Sequence, residues 1–596
     1  MKKIRLNPAN LIRNTLRILS NLRRSLRRRG LETIVLTLHG SYPECPAPRD
    51  PLPFPLNLLP ILPSPDPSLS DLEEGLNLIG GDSRVQNVVL KFQSLQADMA
   101  TRYSMRRALG DLQEQGKHLL AWLPDAGMGD YYLATACDEI LLPPAAHMNL
   151  LGLRLEAVFL KDVLDMIGVE PNFEHIAEYK TAPDMFRRTT MSDAQREMLN
   201  AILDDVYDEI VSAIAEGRGL EPDRVRALID QMPLTAAEAL EAGLADGVCY
   251  EDEIATRLAP ERPEEGPEQE LEKNAKNKKA EAPSKPVAWQ EAARWLRLPR
   301  QRRTRQKIGI ISLQGMIVPG PSRRSPFPLP LPDPYEAQAG AETIAQALRN
   351  AEADEGVAAV IFHVESPGGS PLGSDLIWRE VLRLRQRKPV VVLMGSQAAS
   401  GGYYVAAAAD RIVARPTTLT GSIGIWGGKF STAELYEKLG IGREAVQRGA
   451  MAGLHSEMSP FSEEERDRIR RQMETTYALF KSRVAEGREM TAEAVEEVAR
   501  GRVWSGRRAQ EVGLVDEIGD FETALEIAKE LASLDPGQDY TTLQIAPAQQ
   551  TLLAPPFRRS EKTALWNSQN SLLDMLRALT CERIWALSPW IIQLRG

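Results

Sequence analysis

Hydrophobic positions along this chain fall into short aliphatic or β-branched runs separated by longer amphipathic stretches. "NVVLKF" from Asn87 is followed by "MRRALGDLQEQ" from Met105 and then by "HLLAWLP" from His118. The order recurs as "VAAVIFHV" from Val357, "LIWREVLRLRQ" from Leu376 and "VVVLMG" from Val390. Continuous apolar runs of strand length, alternating with helical periodicity, predict β-α-β units and mostly parallel sheets. Earlier in each series, "TIVLTLHG" around Ile34 and "IGIISLQG" around Ile308 show period-two strands that end in glycine. The uncharged run from Pro389 to Ala409 has the length of a membrane span. Its contents, a strand, then the small-residue turn "SQAASGG", then a helix start at "YYVAAAAD", describe a buried α/β unit instead. No transmembrane helix is expected.

These parallels come from one large internal repeat. Tyr131 in "YYLATACDEIL" matches Tyr403 in "YYVAAAADRIV", Gly152 matches Gly424, and Gly168 matches Gly440, since 403 − 131, 424 − 152 and 440 − 168 all give 272. Farther on, Ser192 pairs with Ser462 and Gly243 with Gly513, each 270 apart, so two residues are missing from the second copy between Gly168 and Ser192. The charged, apolar-poor stretch "RPEEGPEQELEKNAKNKKAEAPSKP" reads as a solvated linker between the copies. The domain plan is therefore a segment 1–30, a first domain 31–258, a linker 259–305, a second domain 306–545 and an extension 546–596. Both copies also carry a proline-rich apolar run, "DPLPFPLNLLPILPSPDP" and "PGPSRRSPFPLPLPDP", extended in character and expected as paired lips around an opening.

Composition narrows the function classes. The net charge of −10 argues against nucleic acid as the main partner, because phosphate binding needs a broad basic surface. Cys45, Cys137, Cys249 and Cys581 lie far apart with no CxxC pair, which fits reduced structural thiols. The first thirty residues are rich in arginine and lack an apolar core, so a cleaved export signal is not expected. Ile12, Leu16, Leu19, Leu22 and Leu26 share one helical face among arginines, which suits a helix lying on an anionic membrane surface or a solvated basic docking segment.

Candidate chemistry sits where the copies differ. "AASGGYY" in the second copy stands against "AGMGDYY" in the first, so Ser400 corresponds to Met128. "ESPGGS" likewise stands against "QSLQAD", and Gly368-Gly369 has no counterpart. Both motifs follow parallel strands, where open α/β folds gather their active sites. A nucleophilic serine needs backbone N–H groups to hold an oxyanion, which makes Gly369 and Gly401 candidate donors. It also needs a base. His363 lies within a strand and is expected to pack in the core. Lys180 in "EHIAEYKTAPD" maps to about residue 450 or 452, where the second copy reads "QRGAMAGLH" and has no lysine between Lys438 and Lys481. The serine is unique to one copy and the lysine to the other, the pattern expected of one joint site.

"SPGGS", "MGSQAASGGYY", "TLTGSIGI" and "EYKTA" together resemble the long, duplicated form of the signal peptide peptidase A (protease IV) family. The resemblance implies α/β architecture with two tandem crotonase-like, Clp-protease-like domains. It implies a serine endopeptidase with a Ser400–Lys180 dyad, Ser422 orienting the lysine amine, and Gly369 and Gly401 in the oxyanion hole. It further implies cleavage of hydrophobic peptides such as spent signal peptides, a homotetramer, and no metal or cofactor. Ala177 stands where that family commonly has glycine. Members of this plan often carry an N-terminal anchor, whereas here residues 1–30 offer only the basic helix, so a peripheral membrane or cytoplasmic location is expected. Two other readings remain open: a crotonase-like acyl-CoA enzyme, and a non-catalytic scaffold at a membrane.

Overall fold

In a computed structural model, residues 8–25, 31–45, 67–258, 285–299, 306–324, 337–535, 540–545 and 584–587 are described. The first proline-rich run, most of the second, the centre of the linker and most of the C-terminal extension lie outside the described residues. The chain divides into two compact units that cut across the duplicated halves: Met1–Leu153 with Tyr207–Arg303, and Arg154–Val206 with Thr304–Ile592.

In the first unit, the period-two run Thr33–Gly40 forms β1, and the aliphatic runs Asn87–Leu95, His118–Trp122 and Glu139–Leu142 form β2, β3 and β4. They lie side by side and parallel, in that order, with Val287–Ala288 beside β1 and Gly247–Val248 beside β4. Val88, Leu90, Leu119, Leu120 and Ala121 are all buried. Cover on both faces explains why these strands read as continuous apolar runs rather than alternating ones. The helix Met99–Glu114 links β2 to β3 and buries Met105, Leu109 and Leu112.

The second unit begins with β5 (Glu170–His175) and continues through β6 (Lys307–Gln314), β7 (Met316–Val318), β8 (Val357–Ser366), β9 (Gly368–Gly369) and β10 (Val390–Ala399). Then come β11 (Arg411–Ala414), β12 (Leu419–Gly421), β13 (Trp426–Ser431), β14 (Val503–Ser505), β15 (Thr541–Gln544) and β16 (Ile584–Leu587). The main sheet runs β14-β12-β10-β8-β6-β15, parallel except at β14, with β11 also paired to β10. A second sheet contains β7-β9-β16-β13-β5 in that order.

The repeat persists in tertiary detail. Tyr131 Oη donates to the Leu244 carbonyl at 2.6 Å, and Tyr403 Oη donates to that of Leu514 at 2.8 Å. Arg218 clasps Asp246 and Arg488 clasps Asp516, each at 2.8 Å. The segment 154–206 belongs by sequence to the first copy but packs within the second unit. β5 pairs antiparallel with β13, from Glu170 opposite Ser431 to His175 opposite Trp426. Phe173 sits 5.6, 5.5 and 4.9 Å from the rings of Phe186, Trp426 and Phe430. Aromatic pairs at these separations contribute ~0.5–1.5 kcal/mol each beyond the area they bury, which anchors the segment firmly.

Candidate active site

Ser400 stands between the end of β10 and the helix Gly401–Ala406, the strand-to-helix turn expected from its flanking glycines. Its backbone takes φ 55° and ψ −113°, a left-handed φ that costs a non-glycine residue roughly 1–2 kcal/mol. Neighbouring bonds hold it there: the Ser400 N–H donates to the Gly421 carbonyl at 2.7 Å, and its carbonyl accepts from Tyr404 N–H at 2.8 Å. Tyr403 and Tyr404 are buried, so the core fixes the turn.

Lys180 follows β5 in a loop tied to the second unit through Ile176 N–H to the Ile425 carbonyl at 2.9 Å and Tyr179 N–H to that of Arg500 at 3.2 Å. Arg502 reinforces the tie at 3.0 Å from Glu197, as does Arg508 at 2.8 Å from Asp205. The lysine side chain is 1% exposed. Its Nζ lies 2.7 Å from Ser400 Oγ, 3.0 Å from Ser422 Oγ and 3.0 Å from the Ser422 carbonyl. Burial holds the amine well below the usual lysine range. Serine, lysine and the second serine, remote in sequence, therefore meet inside one compact unit.

Ser422 occupies the turn after β12, with φ 52° and its N–H donated to the Arg502 carbonyl at 2.6 Å. Gly369 has φ 151°, and a Cβ there would come within 2.1 Å of the Ile317 carbonyl oxygen, so only glycine permits this approach of β9 to β7. Gly401 is the first residue of its helix, where a backbone N–H has no partner within the helix. His363 lies apart from this cluster, as expected: it is 2% exposed and shares a 3.0 Å bond between Nδ1 and Ser312 Oγ. Burial, then the charge of Arg415, pushes its pKa down to about 3, which keeps the ring neutral. At the equivalent positions, Met128 is buried as an ordinary core residue and Ala450 is exposed. Among the described residues, no group of three or more His, Cys, Asp or Glu side chains is placed to hold a metal.

Gly501 and Gly424 escaped the sequence reading. A Cβ on Gly501 would approach the Lys180 backbone nitrogen to 2.4 Å, and one on Gly424 would meet Lys180 Cδ at 3.2 Å. Both wall in the lysine. The repeat carried a signal for Gly501, because the offset of 270 sets Gln231 opposite it (501 − 270 = 231).

The model of peptidase family S49 matches this chain twice, over residues 111–263 and 383–535. "Serine protease SPPA, chloroplastic" of Arabidopsis thaliana is 33% identical over 80% of this chain and 68% of its own length. "Protease 4" of Haemophilus influenzae is 30% identical over 76% and 71%, and "Protease 4" of Salmonella typhi is 28% identical over 88% and 79%. Among solved structures, "ClpP1 N165D mutant from Listeria monocytogenes" matches 36% of this chain and 94% of that one, at 15% identity and a TM-score of 0.23.

Proposed function

The chain belongs to peptidase family S49 and is a serine-type peptidase; on that premise we propose that it is an endopeptidase with Ser400 as nucleophile and Lys180 as general base. The observation that carries this reading is the 2.7 Å separation of Lys180 Nζ from Ser400 Oγ, with both residues buried. A neutral amine has two N–H groups and one lone pair. The Ser422 carbonyl can only accept, so it takes one N–H; the Ser422 hydroxyl takes the second. The lone pair is left facing the Ser400 O–H. Ser422 is thus an orienting residue for the base.

In acylation, Ser400 Oγ attacks the scissile carbonyl while its proton passes to Lys180 Nζ. The N–H groups of Gly369 and Gly401 receive the oxyanion. Lys180 then returns the proton to the leaving amine, and a water molecule, deprotonated by the same amine, hydrolyses the acyl ester. An acyl-CoA enzyme would leave the buried pair without a role, and a scaffold would not need the strained serine.

Hydrophobic peptides, including spent signal peptides, are the proposed substrates, and a homotetramer the proposed assembly. Membrane attachment is proposed through the helix Pro8–Ser25. Asn21 and Arg24 donate to the carbonyls of Leu298, Ala293 and Leu296, while Ile18, Leu19 and Leu22 remain exposed. With the polar face engaged, the apolar face is free for an interface.

A fluorophosphonate probe and an apolar fluorogenic peptide test the chemistry. Wild type should label at Ser400 and turn over. Ser400→Ala and Lys180→Ala should each lose about a thousandfold or more in kcat, as members of a concerted set do. Full activity in Lys180→Ala would remove the dyad.

A further inference from the structure

Three consecutive residues join the loop that carries Lys180 to the turn that carries Ser422. The Arg500 carbonyl accepts the N–H of Tyr179 at 3.2 Å, the Gly501 N–H donates to the Ile423 carbonyl at 2.9 Å, and the Arg502 carbonyl accepts the N–H of Ser422 at 2.6 Å. Arg500 at φ 54° and Gly501 at φ 81° are both left-handed, so the chain turns sharply enough for its main-chain groups to reach both neighbours. Two further bonds hold the turn itself: the Arg500 N–H donates to Tyr477 Oη at 3.1 Å, and that of Val503 to Met198 Sδ at 3.2 Å.

Arg502 adds a side-chain link to this main-chain one. Its guanidinium carbon lies 5.0 Å from the centre of the Tyr179 ring and 4.6 Å from that of Trp504, within the range at which a cation is held against an aromatic face. Glu197 completes the link: one carboxylate oxygen meets Arg502 Nη1 at 3.0 Å, and the other accepts from Tyr179 Oη at 3.0 Å. Tyr179 directly precedes Lys180. Arg502 therefore touches the neighbour of the base with its side chain and the orienting serine with its carbonyl. The first copy lacks this arginine: the offset of 270 sets Met232 opposite it (502 − 270 = 232).

Stability does not account for the arrangement. The Glu197 side chain is 56% exposed and that of Arg502 21%, and an ion pair so open to solvent adds little, because water screens it and ordering two long side chains costs entropy. Its effect is to restrict motion. A flat guanidinium stacked on rings and paired with a carboxylate has few orientations open to it, and Tyr179, held at both ring and hydroxyl, shares that restriction. The lysine stem begins at the next residue.

We propose that Arg502, acting with Glu197, is a positioning residue for the base: it fixes Lys180 Nζ relative to Ser422 Oγ and so keeps the amine lone pair on Ser400. This rests on the Ser400–Lys180 reading. The pair touches no reacting atom and works through Tyr179 and Ser422.

Steady-state kinetics of the full chain on an apolar fluorogenic peptide, with the rate of fluorophosphonate labelling of Ser400, test this. Arg502→Met should lower kcat about tenfold with KM and Tm unchanged, less than the hundredfold that a displacement near 1 Å costs, because the main-chain bonds remain. Labelling should slow by the same factor, since the probe reports on activation of the serine and not on peptide binding. Glu197→Ala and Tyr179→Phe cut the same link at its other members. Each should lower kcat about threefold, and combining either with Arg502→Met should lower it no further, as for residues in one network. Tyr179→Phe deletes a single oxygen, so it reads the link even if Arg502→Met disturbs the loop. With Lys180→Ala inactive, the proposal alone is overturned by unchanged kcat in Arg502→Met and Tyr179→Phe, by losses that multiply in the combined variants, or by a rise in KM in place of the fall in kcat. Full activity in Lys180→Ala removes the dyad and this proposal with it.

Discussion

Lys180 concentrates the cost and the use of this site in one residue. Its depressed pKa means that between the folded value and the ordinary lysine value near 10.5 the unfolded chain holds a proton that the folded chain lacks. Folding stability therefore rises with pH across that window and is penalised at its acid end. Lys180→Met removes the titrating group, so it should raise the melting temperature at pH 7 and flatten its pH dependence while abolishing activity. Wild-type kcat/KM should rise with pH as the amine loses its proton, on a limb well below the usual lysine range. Ser422→Ala should keep the fold and lower kcat about 10–100-fold, as expected when a base loses its orientation. Ala177 has φ 68°, a glycine conformation held by an alanine. Ala177→Gly should stabilise the protein by about 0.5–1 kcal/mol, measured by denaturant unfolding.

At the scale of elements, the proposed catalysis depends on how the β5–β13 ladder aims the loop that follows it. Phe173 plugs the aromatic cluster beneath this ladder. Phe173→Ala should cost about 3 kcal/mol and lower kcat together with Tm, because the cavity loosens the lysine arm. Gly501→Ala acts without a cavity: its Cβ would collide with the Lys180 backbone nitrogen at 2.4 Å. A displacement near 1 Å at a catalytic group costs about a hundredfold, so kcat should fall that far while circular dichroism stays unchanged. The α/β alternation of these elements was legible in the sequence, because burial on both faces leaves an uninterrupted apolar run. The β5–β13 ladder was not. "EPNFEH" and "WGGKFS" carry weak strand patterns, and their pairing is fixed by the aromatic cluster formed only when they meet.

For the molecule as a whole, the proposed dyad takes its serine from the second copy and its lysine from the first. Residues 306–596 expressed alone carry Ser400 but not Lys180, and should fail to label with a fluorophosphonate. Co-expression with residues 1–303 should restore labelling, since that fragment supplies the segment 154–206 that packs in the second unit. Labelling of the isolated 306–596 fragment would contradict this. At the position of Ser400 the first copy has Met128, and at the position of Lys180 the second copy has an exposed, lysine-free stretch.

The sequence by itself determined the duplication, its offset and the residues unique to each copy, because homologous positions can be compared without coordinates. It also set the strand and helix alternation, which follows from local patterns of burial. Tertiary structure alone decided that Lys180 and Ser400, 220 residues apart, lie within hydrogen-bond reach. It also decided that 154–206 joins the second unit, and that four residues of the C-terminal extension enter a sheet beside the site. Such pairings depend on register and side-chain fit between distant segments. Neither is written in the local periodicity of either partner.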